Sequence, residues 1–381
     1  MKLTNLNIVA DENIPALDRL FGHFGKITRL PGRTIQNSDL QEADLLLVRS
    51  VTQVSEQLIA TSPVHFVGTA TIGTDHIDKA ALKNREIGFS SAPGCNADAV
   101  AEYVVSNLLL IASEKGFKLK DQTVGIVGVG NVGRRLQQRL EALGIKLLLN
   151  DPPREAAGDQ GFVQLESLLQ QADIICLHTP LIKEGRYPSY HLLNAENLPM
   201  VKPDSIVLNA GRGPVIDNVA LLDWHRKRPD VTLLLDVWEE EPKVDPQLAQ
   251  QVRIGTPHIA GYSLDGKIRG TWMLYTAFCQ HVGIQPEIEL ADCLAEADSP
   301  LQIVLDGSED LATIVHRVYQ PEADHQRFID SLIDTGSQPQ RFDLLRKRYP
   351  VRRECAAAKL QGVKPDKALA DQLKAVGFIL E

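Results

Sequence analysis

Residues Thr123 to Gly133 read Thr-Val-Gly-Ile-Val-Gly-Val-Gly-Asn-Val-Gly, an apolar run that passes through closely spaced glycines into a stretch with helical periodicity. The pattern predicts a buried strand, a tight turn and the first turn of a helix, which is the geometry that a dinucleotide pyrophosphate needs. Gly128 permits the turn, Gly130 lets the backbone approach phosphate oxygens, and Gly133 lets the helix pack on its strand. The N–H groups of Asn131, Val132 and Gly133 then face the ligand from a helix N-terminus. A second strand, Ile145 to Asn150, ends on Asp151, 18 residues past Gly133, where an acid is expected to hold the adenosine ribose hydroxyls. Asp151 repels a 2′-phosphate, which favours NAD over NADP; Arg154, three residues on, works against that preference. The alternative is a glycine-rich turn in an ordinary α/β domain.

At 381 residues the chain is long enough for two or three domains. Its formal net charge of −9 argues against a general affinity for nucleic acid or an anionic membrane, so an anionic substrate must meet a local group of cations. No stretch approaches the ~20 apolar residues of a membrane span, and the start has no signal-peptide pattern, so a cytoplasmic protein is expected. Cys95, Cys176, Cys279, Cys293 and Cys355 are scattered, with no paired spacing and no histidine at metal-ligand distance. A reduced, metal-free protein is the expectation.

The first 95 residues alternate strand-like runs (Asn7 to Ala10, Leu45 to Val48, Phe66 to Val67, Ile87 to Phe89) with helical stretches, as in a small parallel α/β unit. An apolar helix, Ala99 to Ser113, leads into the nucleotide domain, where strands recur at Asp173 to Leu177, Ser205 to Asn209, Thr232 to Val237 and Val252 to Ile254. The expected fold class is α/β: a doubly wound Rossmann-type domain over 96–258, and a smaller, discontinuous α/β substrate domain over 1–95 and 259–285. From 286 to 381 a separate α+β unit is expected, with a strand at Leu301 to Leu305, an amphipathic stretch from Leu311 to Ile329, a basic helix-like run from Arg341 to Arg353 and a final helix from Asp366 to Val376. It carries no motif for catalysis and is read as an interaction or dimerisation domain, with a two-fold homodimer as the default.

Three further sites follow predicted strands, where open α/β sheets bind ligands. Arg212 lies between Gly211 and Gly213 after the strand ending at Asn209, placed to clamp a carboxylate with two parallel hydrogen bonds. Asp236 and Glu241 belong to an acidic stretch, Asp236 to Glu241, ending at Pro242. His258 stands 17 residues after Glu241 in Thr256-Pro257-His258-Ile259-Ala260-Gly261. An imidazole exchanges protons near neutral pH, and a carboxylate partner orients it. Together Arg212, Glu241 and His258 suit hydride transfer from a 2-hydroxy acid to a nicotinamide. A surface arginine and a solvated acidic loop are the plain alternatives.

In these residues the chain resembles the D-isomer-specific 2-hydroxyacid dehydrogenases, whose Arg, Glu and His follow a GxGxxG in this order; the resemblance spans about the first 285 residues. It is carried also by Val9 to Asn13, Val48 to Thr52, Gly68 to His76, Ala92 to Asn96 and His258 to Ser263. The resemblance implies a flavodoxin-like substrate (lid) domain, NAD as cofactor, and a small phosphorylated 2-hydroxy acid as substrate. It further implies that Ser50, Thr71 and Tyr262 touch substrate, that Asp151, Thr179, Asp236 and Gly261 touch NAD, that Arg212 and Glu241 are active-site residues, and that His258 carries the proton. The acidic run here reads Glu239-Glu240-Glu241, and Glu241 is chosen for its place before Pro242. Arg49, Lys267, Arg269 and the run Arg341 to Arg353 are candidate cations for the phosphate, the last by reaching a neighbouring subunit. Two alternatives stay open: 3-phosphoglycerate as substrate, and a dinucleotide-sensing scaffold without catalysis.

Overall fold

Short runs of Val, Ile and Leu that are apolar on both faces form parallel strands, because only a sheet covered by helices on both sides accepts them. In the computed structural model residues 4–297, 301–333 and 335–380 are described; the chain limits 1 and 381 lie outside them. The chain divides into two compact units, one of residues 1–96 with 263–299 and one of 97–262 with 300–381.

The first unit is a five-stranded parallel sheet: β1 (Leu6–Asp11), β2 (Gly25–Leu30), β3 (Leu45–Val48), β4 (Phe66–Thr69) and β5 (Gly88–Ser91), in the order β2-β1-β3-β4-β5. This is the flavodoxin-like order, with its switch point between β1 and β3. β2 is absent from the sequence reading because, as an edge strand, it alternates half-buried and exposed positions without an apolar run. Helix Leu264–His281 covers the sheet and puts Leu274, Tyr275 and Phe278 into its core. Residues 286–297, assigned from sequence to the last domain, stay with this unit: Glu287 N donates to the Tyr275 hydroxyl at 2.9 Å, and Trp272 Nε1 donates to Ile288 O at 2.9 Å.

The second unit holds β6 (Thr123–Val127), β7 (Lys146–Asn150), β8 (Ile174–Leu177), β9 (Ile206–Asn209), β10 (Thr232–Leu235) and β11 (Ile254–Gly255), all parallel, in the order β11-β10-β9-β8-β6-β7. Phe162 makes a single parallel bridge to Leu149 on the outer side of β7. With that residue as a vestigial third strand, the order becomes the Rossmann one.

Helix Ala97–Lys115 is buried nearly all round, and the C-terminal segment explains why. That segment contributes β12 (Leu301–Leu305), paired in parallel with β13 (Ala358–Gly362), and helices Leu311–Val318, Pro321–Ser331, Gln338–Lys347 and Lys367–Ala375. It shares one core with the nucleotide sheet across the Ala97–Lys115 helix, and Ser106 Oγ donates to Tyr319 O at 3.0 Å. The amphipathic stretch from Leu311 forms two helices, with the break before Pro321, which lacks the N–H a continuing helix needs. All five cysteines are buried and free. Among the described residues no helix is long and apolar enough to cross a membrane.

One buried ionic group fastens these layers. Arg139 pairs with Asp98 at 2.7 Å and Glu102 at 3.3 Å, and it donates to Val376 O; Glu102 also accepts from Cys355 N at 3.0 Å. Burial pushes the Glu102 carboxyl up to about 8, against the pull of Arg139. Arg139→Met removes the cation while its acceptors stay buried. It is expected to cost about 3–5 kcal/mol, read as a lower urea midpoint; an unchanged midpoint would show that the group carries no structural load.

Candidate active site

Every candidate residue of the second unit sits just past the carboxyl end of one of its strands. Gly128 follows β6 and turns with φ 86°, a conformation that favours glycine. A Cβ there would lie 2.8 Å from Thr179 N, and one at Gly133 would lie 2.1 Å from Gly128 O. A Cβ at Gly130 would meet nothing within 4 Å. Thus Gly128 and Gly133 are forced by packing, while Gly130 faces open space at the N-terminus of helix Asn131–Ala142, whose first residues are Asn131 and Val132.

Asp151 follows β7 and accepts from Val129 N at 2.8 Å and Arg154 N at 3.1 Å, joining the glycine turn to the next helix. Arg154 donates to Val129 O at 2.9 Å and pairs with Asp159 at 2.7 Å, so its charge beside the turn is largely balanced. After β8, the Thr179 hydroxyl and both ring nitrogens of His178 are buried without a hydrogen-bond partner. Burial pushes His178 down to about 4, leaving a neutral ring. Orphaned polar atoms beside an open glycine turn are what a polar ligand would satisfy, and the cradle fits a dinucleotide. Nothing local in the sequence marks His178; its lack of partners is visible only in three dimensions.

Arg212 follows β9. The buried Asn209 side chain closes its turn by donating to Arg212 O at 3.0 Å and accepting from Gly211 N at 3.0 Å. A Cβ at Gly213 would lie 1.9 Å from Trp238 O, so only glycine lets the Arg212 turn press against the loop leading to Glu241. Arg212 Nη1 bonds Gly211 O at 2.9 Å, and the side chain is half-buried.

The acidic run splits in three directions. Glu239 accepts from His191 at 2.5 Å and from Asn218 N at 3.0 Å, Glu240 is exposed, and Glu241 Oε1 meets His258 Nδ1 at 2.5 Å. Burial pushes the Glu241 carboxyl up, but the His258 charge and hydrogen bond, the Arg346 charge and the Trp238 N–H outweigh it, and the net shift is downward. Glu241 therefore stays ionised across the physiological range. With Nδ1 donating to a carboxylate, His258 keeps Nε2 as its acceptor.

Asp236 follows β10 and is 2% exposed. It accepts from Thr256 Oγ1 at 2.6 Å, Ile259 N at 2.7 Å and Ala260 N at 3.0 Å, while His258 N donates to Asp236 O at 2.7 Å. Its carboxylate holds the loop that carries His258 and Gly261.

The expected substrate contacts divide between the units. Tyr262 lies in the second unit, Ser50 and Thr71 in the first, past the carboxyl ends of β3 and β4. Ser50 is exposed; the Thr71 hydroxyl is linked through Thr69 (2.8 Å) to the buried His76 ring (2.9 Å). Of the cations considered for phosphate, Arg269 donates to Cys95 O at 2.5 Å. The basic run does not stand out in solvent as a whole: Lys347 and Arg348 are exposed, but Arg346 lies over the Tyr262 ring and Arg352 is buried against Ala260 of the same chain.

Comparison with known proteins agrees with this architecture. The family "D-isomer specific 2-hydroxyacid dehydrogenase, NAD binding domain" matches residues 106–260, and a domain of unknown function, DUF3410, matches 299–377. Erythronate-4-phosphate dehydrogenase of Pseudomonas entomophila is 50% identical over 97% of this chain and 98% of its own length. The Escherichia coli protein of the same name is 48% identical over 98% of each. Among solved structures, NAD-bound 3-phosphoglycerate dehydrogenase of Entamoeba histolytica superimposes with a TM-score of 0.62 at 24% identity, covering 74% of this chain and 96% of its own; D-lactate dehydrogenase of Aquifex aeolicus gives 0.58 at 22%, covering 73% and 95%. This chain belongs to the erythronate-4-phosphate dehydrogenase family, with the NAD-binding domain of the D-isomer specific 2-hydroxyacid dehydrogenases at its centre.

Proposed function

We propose that this chain oxidises the C2 hydroxyl of 4-phospho-D-erythronate to 2-oxo-3-hydroxy-4-phosphobutanoate, with NAD, in the synthesis of pyridoxal 5′-phosphate. The observation that carries the reading is the 2.5 Å contact between His258 Nδ1 and Glu241 Oε1 on a loop beside the Arg212 turn. A scaffold that only sensed a dinucleotide has no use for an oriented imidazole and carboxylate.

In this reading Gly128, Gly130, Asn131, Val132, Gly133, Asp151, Thr179, Asp236 and Gly261 hold NAD, and Asp236 also secures the loop that completes its site. NAD, when bound, accepts the hydride released from C2. Arg212 holds the substrate C1 carboxylate and polarises the C2 oxygen with its planar fork. His258 takes the hydroxyl proton at Nε2, and the imidazolium so formed is stabilised by the ionised Glu241 carboxylate at Nδ1. Ser50, Thr71 and Tyr262 position the remaining hydroxyl and phosphate groups. The one group of possible metal ligands among the described residues, His191, Asp217 and Glu239, is bonded to itself and to Asn218 N at a helix start, and no step of this reading uses it.

The protein is proposed to act in the cytoplasm as a homodimer joined through the C-terminal segment. Val304, Ile333, Val351 and Ile379 of that segment are each more than 60% exposed, and the sheet of β12 and β13 has only two strands, which is marginal alone in water. Light scattering is expected to give twice the 42.0 kDa chain mass; a mass of one chain would refute the dimer. For the chemistry, the wild type is expected to reduce NAD with 4-phospho-D-erythronate in preference to 3-phosphoglycerate. His258→Asn is expected to lose at least ~10²-fold in turnover while still binding NADH by fluorescence titration. Retained turnover would remove His258 from the reaction.

A further inference from the structure

The substrate in this reading is anionic at both ends, on a chain whose net charge is −9, and Arg212 answers only one end. Helix Gln338–Lys347 of the C-terminal segment brings a second guanidinium to the same loop. Arg346 lies over the Tyr262 ring with its central carbon 5.6 Å from the centroid. It hydrogen-bonds the Tyr262 side chain, and its charge reaches Glu241, whose carboxyl it helps to hold down. The Tyr349 ring meets Tyr262 edge-on at 5.8 Å, fixing the other side of that platform, and the Tyr349 hydroxyl donates to Asp324 at 2.6 Å. Three residues further, Arg352 donates to Ala260 O at 2.5 Å and Ala99 O at 3.2 Å, fastening the segment to the His258 loop from behind.

Within this arrangement two buried guanidinium donors are left over, Arg346 Nε and Arg352 Nη1. Arg346 Nε is buried and has no hydrogen-bond partner. A buried N–H without an acceptor is unfavourable unless a ligand supplies one, and a guanidinium held against an aromatic ring is a preorganised donor fork, suited to a phosphate. Arg352 is set apart from the role by its place: its Nη2 is held by the carbonyls of Ala99 and Ala260 and its guanidinium lies over Tyr319 at 4.8 Å, whereas Arg346 lies on Tyr262 itself.

We propose that Arg346, supplied by the C-terminal segment of the same chain, holds the phosphate group of the substrate, with Tyr262 as its platform. The inference rests on the function proposed above. It gives the C-terminal segment a part in substrate choice, and it places that basic residue in its own chain's site, where sequence had pointed to a neighbour's.

The test compares the wild type, R346Q and R346K on 4-phospho-D-erythronate and on unphosphorylated D-erythronate, with inorganic phosphate as a competing ligand. A hydrogen-bonded charge contact corresponds to ~10- to 100-fold. R346Q is therefore expected to raise KM for the phosphorylated acid by that factor beyond any change it causes for D-erythronate, and to weaken inhibition by inorganic phosphate alike. R346K, which keeps the charge but loses the fork, is expected to fall between them, and it carries the comparison should R346Q fail to fold. Equal losses on both acids would mean that Arg346 acts only through Tyr262 and Glu241, and would overturn the proposal, as would an unchanged KM. A wild type inactive on both acids with NAD would overturn the functional reading itself, a result distinct from either of these.

Discussion

The buried carboxylate of Asp236 is the contact on which the rest of the site depends. One acceptor group at the end of β10 gathers the hydroxyl of Thr256 and the backbone N–H groups of Ile259 and Ala260, while Tyr103 on the Ala97–Lys115 helix holds Thr256 in turn at 2.8 Å. Between those anchors His258 adopts φ 58°, a left-handed conformation that a residue other than glycine keeps only where its surroundings impose it. That backbone state aims the imidazole at Glu241. Burial pushes the Asp236 carboxyl up, against the nearby His258 charge and the three hydrogen bonds it accepts, so its position depends on all of its donors being present together.

The parallel sheet explains why residues so far apart in the chain meet. Six strands of one direction end on one edge, and each delivers a short turn there: Gly128, Asp151, Thr179, Arg212, Asp236 and His258 follow six successive strands in sequence. Close backbone approach then packs neighbouring turns, with Gly128 against Thr179 and Gly213 against Trp238. Trp238 itself is locked by its Nε1 bond to Thr256 O at 3.0 Å and by stacking on Phe328 of the C-terminal segment at 5.1 Å. The C-terminal segment thus supports the acidic loop as well as the Ala97–Lys115 helix.

Much of this was legible in sequence because the informative signals are local. A strand followed at once by glycines, or by Asp, Arg or His at its end, shows within ten residues, and the GxGxxG turn, Arg212, Glu241 and His258 all have that form. The choice of Glu241 over Glu239 and Glu240 rested on the neighbouring Pro242 alone, and the physical ground is that Glu239 is drawn off by His191 and Asn218. What escaped depends on distant partners. β2 and β13 have exposed, alternating positions and exist because a neighbouring strand is there to pair with. The structural work of Asp236, the orphaned ring of His178 and the burial of Arg346 each arise from contacts with residues far along the chain. In the run from Arg341 the helix stops at Lys347, so helical spacing carries no information about Arg352.

Asp236→Asn probes the central constraint most directly, since the amide keeps the shape of the side chain but replaces one acceptor by a donor facing N–H groups that also donate. The measurement is single-turnover reduction of NAD by 4-phospho-D-erythronate, with NADH affinity and urea midpoint recorded on the same protein. A loop held by that carboxylate predicts a rate at least ~10²-fold lower, of the order of losing the proton carrier itself, in a protein that still folds and binds NADH. A variant that turns over at the wild-type rate would contradict the account, because His258 would then be held by something other than Asp236.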